Sequence, residues 1–183
     1  EKLGTKKVLK AKVYSSIVGY RAKLELVLKE DGIIVARIPG SPVDIPVVTL
    51  MRALGLESDK EIAAAVSLSE KIQNELEGSF EKTDVMTSKD AIVYISKRIA
   101  PGMLEEFQIK RAETLLDWGL LPHLGKQPEN RKEKTQFLGE AACKLLELKI
   151  GWIQPDDKDH YGNKVVKFAG QMLADLFRTA FRN

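Results

Sequence analysis

The chain has 183 residues, 44% of them apolar, and its 29 basic and 26 acidic side chains leave a net charge of +3. That suffices for one substantial core, or for one domain plus a piece of another, and a global charge so small does not by itself mark a nucleic-acid binder. No apolar run approaches the ~18 residues of a membrane span, the Lys-bearing N-terminus lacks the apolar segment of a signal peptide, and the single cysteine, Cys143, excludes an intrachain disulfide and suits a reducing compartment.

The first ten residues carry Lys2, Lys6, Lys7 and Lys10, a solvated entry into a strand. Residues 8–14 alternate in polarity, and residues 21–28 do so more clearly. Ala22, Leu24, Leu26 and Leu28 take one face and Arg21, Lys23 and Glu25 the other, which is the period of a half-buried strand. Glu30-Asp31-Gly32 reads as a turn and residues 33–38 as a further short strand. The first forty residues thus predict a small antiparallel sheet with one wet face, which Pro39-Gly40-Ser41-Pro42 interrupts.

Beyond it the period changes to that of helices. Pro46 opens a short helix that Gly55 closes. Ser58 and Glu61 stand at capping-box spacing before a helix reaching Val66. Ser69 can cap a helix carrying Ile72, Leu76 and Phe80, and Thr87 or Ser88 one carrying Ala91, Ile92, Ile95 and Ile99. Leu104, Phe107, Ala112, Leu115 and Leu116 share a face of a longer helix that Gly119 can end. In the turn after it, His123 follows Pro122 and reads as a hydrogen-bonded surface residue rather than a ligand. Residues 126–134 are polar and basic with Pro128 among them, so they are expected as an exposed loop. Phe137, Leu138, Ala141, Ala142, Leu145, Leu146 and Leu148 form a buried helix, in which Cys143 is a small hydrophobe rather than a nucleophile. The fold class is therefore α+β, a small N-terminal antiparallel sheet followed by a mostly helical body.

The most distinctive stretch comes near the end. Residues 156–164 read Asp-Asp-Lys-Asp-His-Tyr-Gly-Asn-Lys. Val165, Val166, Phe168, Ala169, Met172, Leu173, Leu176, Phe177 and Ala180 then follow at helical spacing. This places the polar cluster at the start of an amphipathic helix, where free N–H groups and the dipole favour an anion such as phosphate. Lys158, Asn163, Lys164 and Lys167 are the candidate phosphate contacts. A purely structural role is equally open: Asp157 or Asp159 capping the last helix, Gly162 taking a positive φ, and His160 satisfying a buried carbonyl. Asp156, Asp157, Asp159 and His160 also offer metal-ligand chemistry. Adjacent loop residues rarely converge on one ion, however, and no second ligand cluster exists, so no metal and no cofactor is predicted. With two histidines and neither a Gly-x-Ser-x-Gly nor a nucleotide-binding glycine loop, nothing here does chemistry alone.

The stretch resembles the Asp-Asp-x-Asp-His-(aromatic or Leu)-Gly-Asn-basic motif in the second-largest subunit of multisubunit DNA-dependent RNA polymerases. Further anchors are Ile45-Pro46-Val47-Val48 with Arg52-Ala53-Leu54-Gly55, the Ser58–Glu61 junction, and Leu121-Pro122-His123. The likeness runs over about residues 38–183, and the first 37 agree only in pattern. It implies the lobe domain of that subunit, in an archaeal form, over residues 1–154. Residues 155–183 would be the chain's return to the neighbouring protrusion domain, both ends being cut from something longer. The implied activity is nucleotidyl transfer by the assembled polymerase, with no catalytic residue in this segment and the catalytic Mg²⁺ held by the largest subunit. The implied partners are the other polymerase subunits, downstream duplex DNA, and general transcription or elongation factors, in the cytoplasm and with no membrane. One departure is that Val165 follows Lys164 where the family usually has a second basic residue, and Lys167 restores a charge only later. The competing reading is a helical protein–protein adaptor unrelated to polymerase.

Overall fold

The alternating stretch folds as expected into antiparallel strands. The computed structural model describes residues 8–17, 20–81, 83, 85–157, 159–164 and 166–182, so Lys2, Lys6 and Lys7 lie outside the described residues. Strands Lys10–Ile17 (β1), Tyr20–Leu28 (β2), Ile34–Arg37 (β3) and Ile45–Pro46 (β4) make a four-stranded sheet in sequence order. Leu24, opposite Val13, and Leu26, between Ala11 and Ala36, face the core. On the wet face Glu25 lies 3.3 Å from Lys23 and 3.6 Å from Lys12, and Arg37 holds Asp44 at 2.8 Å. The Arg37 hydrogen bonds keep the Asp44 carboxyl below its usual range. The fourth strand was not expected, because Pro39 and Pro42 hide it. Pro46 is tolerated at an outer strand, where no ladder N–H is required of it.

Helices follow at Val47–Ala53 (α1), Asp59–Val66 (α2), Glu70–Glu81 (α3), Ser88–Ile99 (α4), Glu105–Thr114 (α5), Arg131–Ile150 (α6) and Ala169–Arg182 (α7). Thr87 caps α4 as expected, its hydroxyl accepting from the Asp90 N–H at 3.2 Å. The capping box before α2 does not form: Ser58 makes no side-chain cap bond. Asp59, in the first turn, instead takes the guanidinium of Arg52, a buried side chain of α1.

Two further expectations are corrected. The basic stretch 126–134 is not one exposed loop. After a single 3-10 turn at Pro128–Asn130 it is already α6, and Lys134 is wholly buried. In α5 the inner face is Gln108, Ala112, Leu115 and Leu116, whereas Leu104 and Phe107 are 74% and 60% exposed. Gln108 can lie inside because its amide donates to the carbonyls of Ala100 and Met103 at 2.9 and 3.0 Å, so no donor is stranded.

Helix α6 is the spine of the body. Leu138, Ala142, Leu145 and Leu146 are buried in the core, and Cys143 is half-buried beside it, where burial pushes its thiol pKa up. It ends where Gly151 takes φ +87, so that the Gly151 and Trp152 N–H groups both reach the Glu147 carbonyl. Its middle touches α2 through Gly139, where a Cβ would sit 2.2 Å from the Ala65 carbonyl oxygen. Gly139→Ala should therefore lower stability by about 1–3 kcal/mol, despite the ~1 kcal/mol that alanine gains in helix propensity. A urea melt showing Gly139→Ala at or above wild-type stability would contradict this packing.

Candidate functional site

The polar motif lies on the surface. Asp157 Oδ1 accepts from the Asp159 N–H at 2.9 Å, an Asx turn. His160 precedes a 3-10 turn, Tyr161–Asn163, and its Nδ1 accepts from the Gly162 N–H at 3.1 Å. The motif is thus a self-bonded loop. Three expectations for it change. Gly162 is not among the glycines with positive φ, and its small size is used instead, since a Cβ there would lie 3.1 Å from His160 Nδ1. His160 bonds a neighbouring N–H rather than a buried carbonyl. The motif also does not open the last helix. Residues 164–168 intervene before α7 begins at Ala169, and the first α7 bonds run to the Phe168 carbonyl.

Of the four candidate phosphate contacts, Lys158 lies outside the described residues and Asn163 sits in the 3-10 turn. Lys164 and Lys167 are brought close to carboxylates of their own chain. Lys164 Nζ is 3.7 Å from Asp159, and Lys167 Nζ is 2.8 Å from Asp175, whose carboxyl pKa it lowers. Both lysines are exposed and such pairs are weak, so a phosphate could compete for either. No three His, Cys, Asp or Glu side chains among the described residues stand together as a metal site requires. No helix among them is long and apolar enough to cross a membrane.

The other anchors are structural joints. His123 is exposed yet hydrogen-bonded as expected: Ser15 of β1 accepts from its backbone N–H at 3.1 Å and meets its Nδ1 at 2.7 Å. Its ring lies edge-on to Phe137 of α6. The bend before it is taken by Leu121, a buried residue in the left-handed region at φ +47, an unfavourable conformation for a branched side chain. The docking on Ser15 and the burial of Leu120 and Leu121 hold it there.

Sequence reasoning missed the polar joint beneath this turn. Helix α5 widens into a π turn, Leu115–Gly119, closed by the Leu120 N–H on the Leu115 carbonyl at 2.9 Å. The carbonyls of Leu116 and Asp117 accept from the Lys134 ammonium at 3.1 and 2.5 Å. Arg131, one turn earlier on α6, grips the Asp117 carboxylate with two bonds of 2.8 Å. Spacing gave one signal, a lysine three residues after an arginine at the head of an apolar helix.

The family described as RNA polymerase Rpb2, domain 2, matches residues 2–167. The chain belongs to the RNA polymerase Rpb2 domain 2 family. Among its relatives, the DNA-directed RNA polymerase subunit Rpo2 of Saccharolobus solfataricus is 43% identical over 173 residues, covering 94% of this chain and 15% of that subunit. The subunit Rpo2N of Methanococcus vannielii is 42% identical over 175 residues, covering 93% and 35%. Rpo2N of Halobacterium salinarum is 40% identical over 174, covering 93% and 33%. The chain therefore spans well under half the length of these relatives. The resemblance to the archaeal second-largest subunit holds, and it extends to the N-terminal sheet that pattern alone had left open. An adaptor unrelated to polymerase is excluded.

In this Rpb2 domain 2 chain the Lys134 ammonium joins α6 to the turn after α5. Burial pushes the Lys134 pKa below its ordinary value, Asp117 opposing and Arg131 reinforcing the shift. Lys134→Met should cost about 1–3 kcal/mol by stranding two carbonyls, read by urea denaturation at neutral pH. The folded pKa being the lower one, the unfolded chain holds the proton more tightly. Wild-type stability therefore rises with pH across the interval between the two values. Lys134→Met should lack that rise, which in the wild type ends near the ordinary lysine value of about 10.4.

Proposed function

We propose that this chain is the lobe segment of the second-largest subunit of an archaeal DNA-directed RNA polymerase, lining the downstream DNA cleft and offering a docking surface to small subunits and transcription or elongation factors. The observation that carries this is the Rpb2 domain 2 match across nearly the whole chain, together with relatives named as polymerase subunits. The segment serves a cytoplasmic nucleotidyltransferase without supplying catalytic residues, the catalytic Mg²⁺ belonging to the largest subunit. Residues 155–183 lead into the neighbouring protrusion domain, and the uncovered apolar face of α7, with Met172, Leu173, Leu176 and Phe177 exposed, supports that reading.

Exchanging the matching segment of the Saccharolobus Rpo2 subunit for this chain tests the assignment. The chimera should assemble with its partner subunits and transcribe a tailed template. A folded chimera that fails to assemble would overturn the reading.

For DNA, Lys164 and Lys167 position phosphates without reading bases. A few such contacts on a nearly neutral chain predict duplex binding no tighter than the non-specific range of ~10⁻⁴–10⁻⁶ M. Lys164→Ala and Lys167→Ala should each weaken binding equally for all sequences and lower the magnitude of the salt slope by about one. Asp175→Asn, which frees Lys167, should strengthen it. Binding indifferent to salt would refute the DNA-lining role, and unchanged slopes would move the DNA face away from this motif.

A further inference from the structure

The outward ridge that α5 begins exposes apolar and basic side chains together. Leu104, Phe107, Arg111, Thr114 and Trp118 follow one another at spacings of three and four and are all exposed, Trp118 by 55%. The C-terminal half of the ridge forms one wall of a cleft of about 490 Å³, which Ile17 and Tyr20 of the β1–β2 hairpin, Pro39 and Ile99 complete. Leu115 and the two glycines Gly40 and Gly119 let the walls approach. A Cβ at either glycine would fall 3.1–3.3 Å from the Leu115 side chain. The lining is largely apolar, carries the cations Arg111 and Lys126, and includes no carboxylate. Neither cation forms an ion pair among the described residues. Lys126 rests instead with its Nζ 3.9 Å from the centre of the Trp118 ring.

Scattered exposed apolar residues are ordinary, but a largely apolar cleft with an aromatic rim is the surface of a binding site. Tryptophan, tyrosine and arginine are also the residues that most often carry interface energy. We infer that this cleft receives an acidic, amphipathic peptide segment of a protein partner, its apolar anchor held between Tyr20 and Trp118 and its carboxylates against Arg111 and Lys126. This rests on, and makes specific, the docking-surface part of the proposed function. The ridge decides between a peptide and a small molecule. From Leu104 to Trp118 it runs about 21 Å at 1.5 Å per residue. A compact ligand filling the cleft would leave Leu104 and Phe107 bare, whereas an amphipathic helix places anchors at i, i+3, i+4 and i+7 over an apolar surface of that length. A single nucleic-acid strand would need the open ring faces for stacking, and the Lys126 ammonium already covers one face of Trp118.

The test uses the 183-residue chain and fluorescence anisotropy of a labelled peptide of about 14 residues, with Leu and Phe at i, i+3, i+4 and i+7 and Asp and Glu elsewhere. Comparators are its Lys/Arg counterpart, a scrambled acidic peptide, indole-3-propionate and oligo(dT) as competitors. The acidic amphipathic peptide should bind at least about tenfold tighter than the basic and scrambled ones. Arg111→Glu with Lys126→Glu should reverse the acidic–basic order. Arg111 is exposed and Lys126 partly so, and circular dichroism confirms the variant's fold. Equal binding of acidic and basic peptides, an order unchanged by the double variant, or displacement by indole-3-propionate or oligo(dT) at matching affinity would overturn the inference. The two readings fail separately. A chimera that does not assemble removes the polymerase reading, whereas a folded chain without peptide preference overturns this one alone.

Discussion

The buried ammonium of Lys134 is the contact on which the helical body turns. A charge taken out of water is costly unless its donors meet good acceptors, and here it meets the Leu116 and Asp117 carbonyls of the π turn. The π turn has its own reason for the arrangement. Its wider ring carries the chain from Leu115 to Leu120 in a single bond and leaves carbonyls facing the next helix. Arg131 adds a planar two-bond grip on Asp117. The head of α6 is thereby fixed to the tail of α5, and neither helix can rotate without stranding polar groups.

That constraint propagates in three directions. Toward the sheet, it leaves the chain only residues 120–125 in which to reverse, and the reversal is tight enough to force Leu121 into a left-handed conformation and to seat His123 on Ser15. Along α6, it sets the rotation that brings Gly139 against the Ala65 carbonyl of α2. Outward, the same turn presents Trp118 to solvent beside Lys126 and so shapes the cleft wall. One buried cation thus sets the core joint, the docking of the turn and the outer ridge together.

The chain leaves two uncovered apolar surfaces of different character. The α7 face is wide and continuous, with Leu173, Leu176, Phe177 and Phe181 all exposed, the pattern of a helix that packs against more protein. The α5 ridge is narrower, rimmed by cations and set beside a preformed cleft. The motif loop between α6 and α7 is held by local Asx and histidine bonds, so its shape owes little to the core.

Much was legible in the sequence because it rests on local periodicity. The alternation of Ala22, Leu24, Leu26 and Leu28, the Thr87 cap, the apolar run of α6 and the polymerase-like motifs each depend on neighbours a few residues away. The same locality explains the misses. Lys134 reads as one more polar residue of a basic loop, because its acceptors lie seventeen and eighteen positions back on another helix. Leu104 and Phe107 read as core, because nothing nearby shows that Gln108 would find two carbonyls and take the inner face. Ser58 has the spacing of a cap, yet Asp59 is claimed by Arg52 from the preceding helix. Sequence alone therefore determined most of the elements, the α+β class and the family. Which polar groups are buried, where the motif sits relative to α7, and which apolar side chains remain outside were decided only by tertiary packing, since each depends on partners distant in the chain.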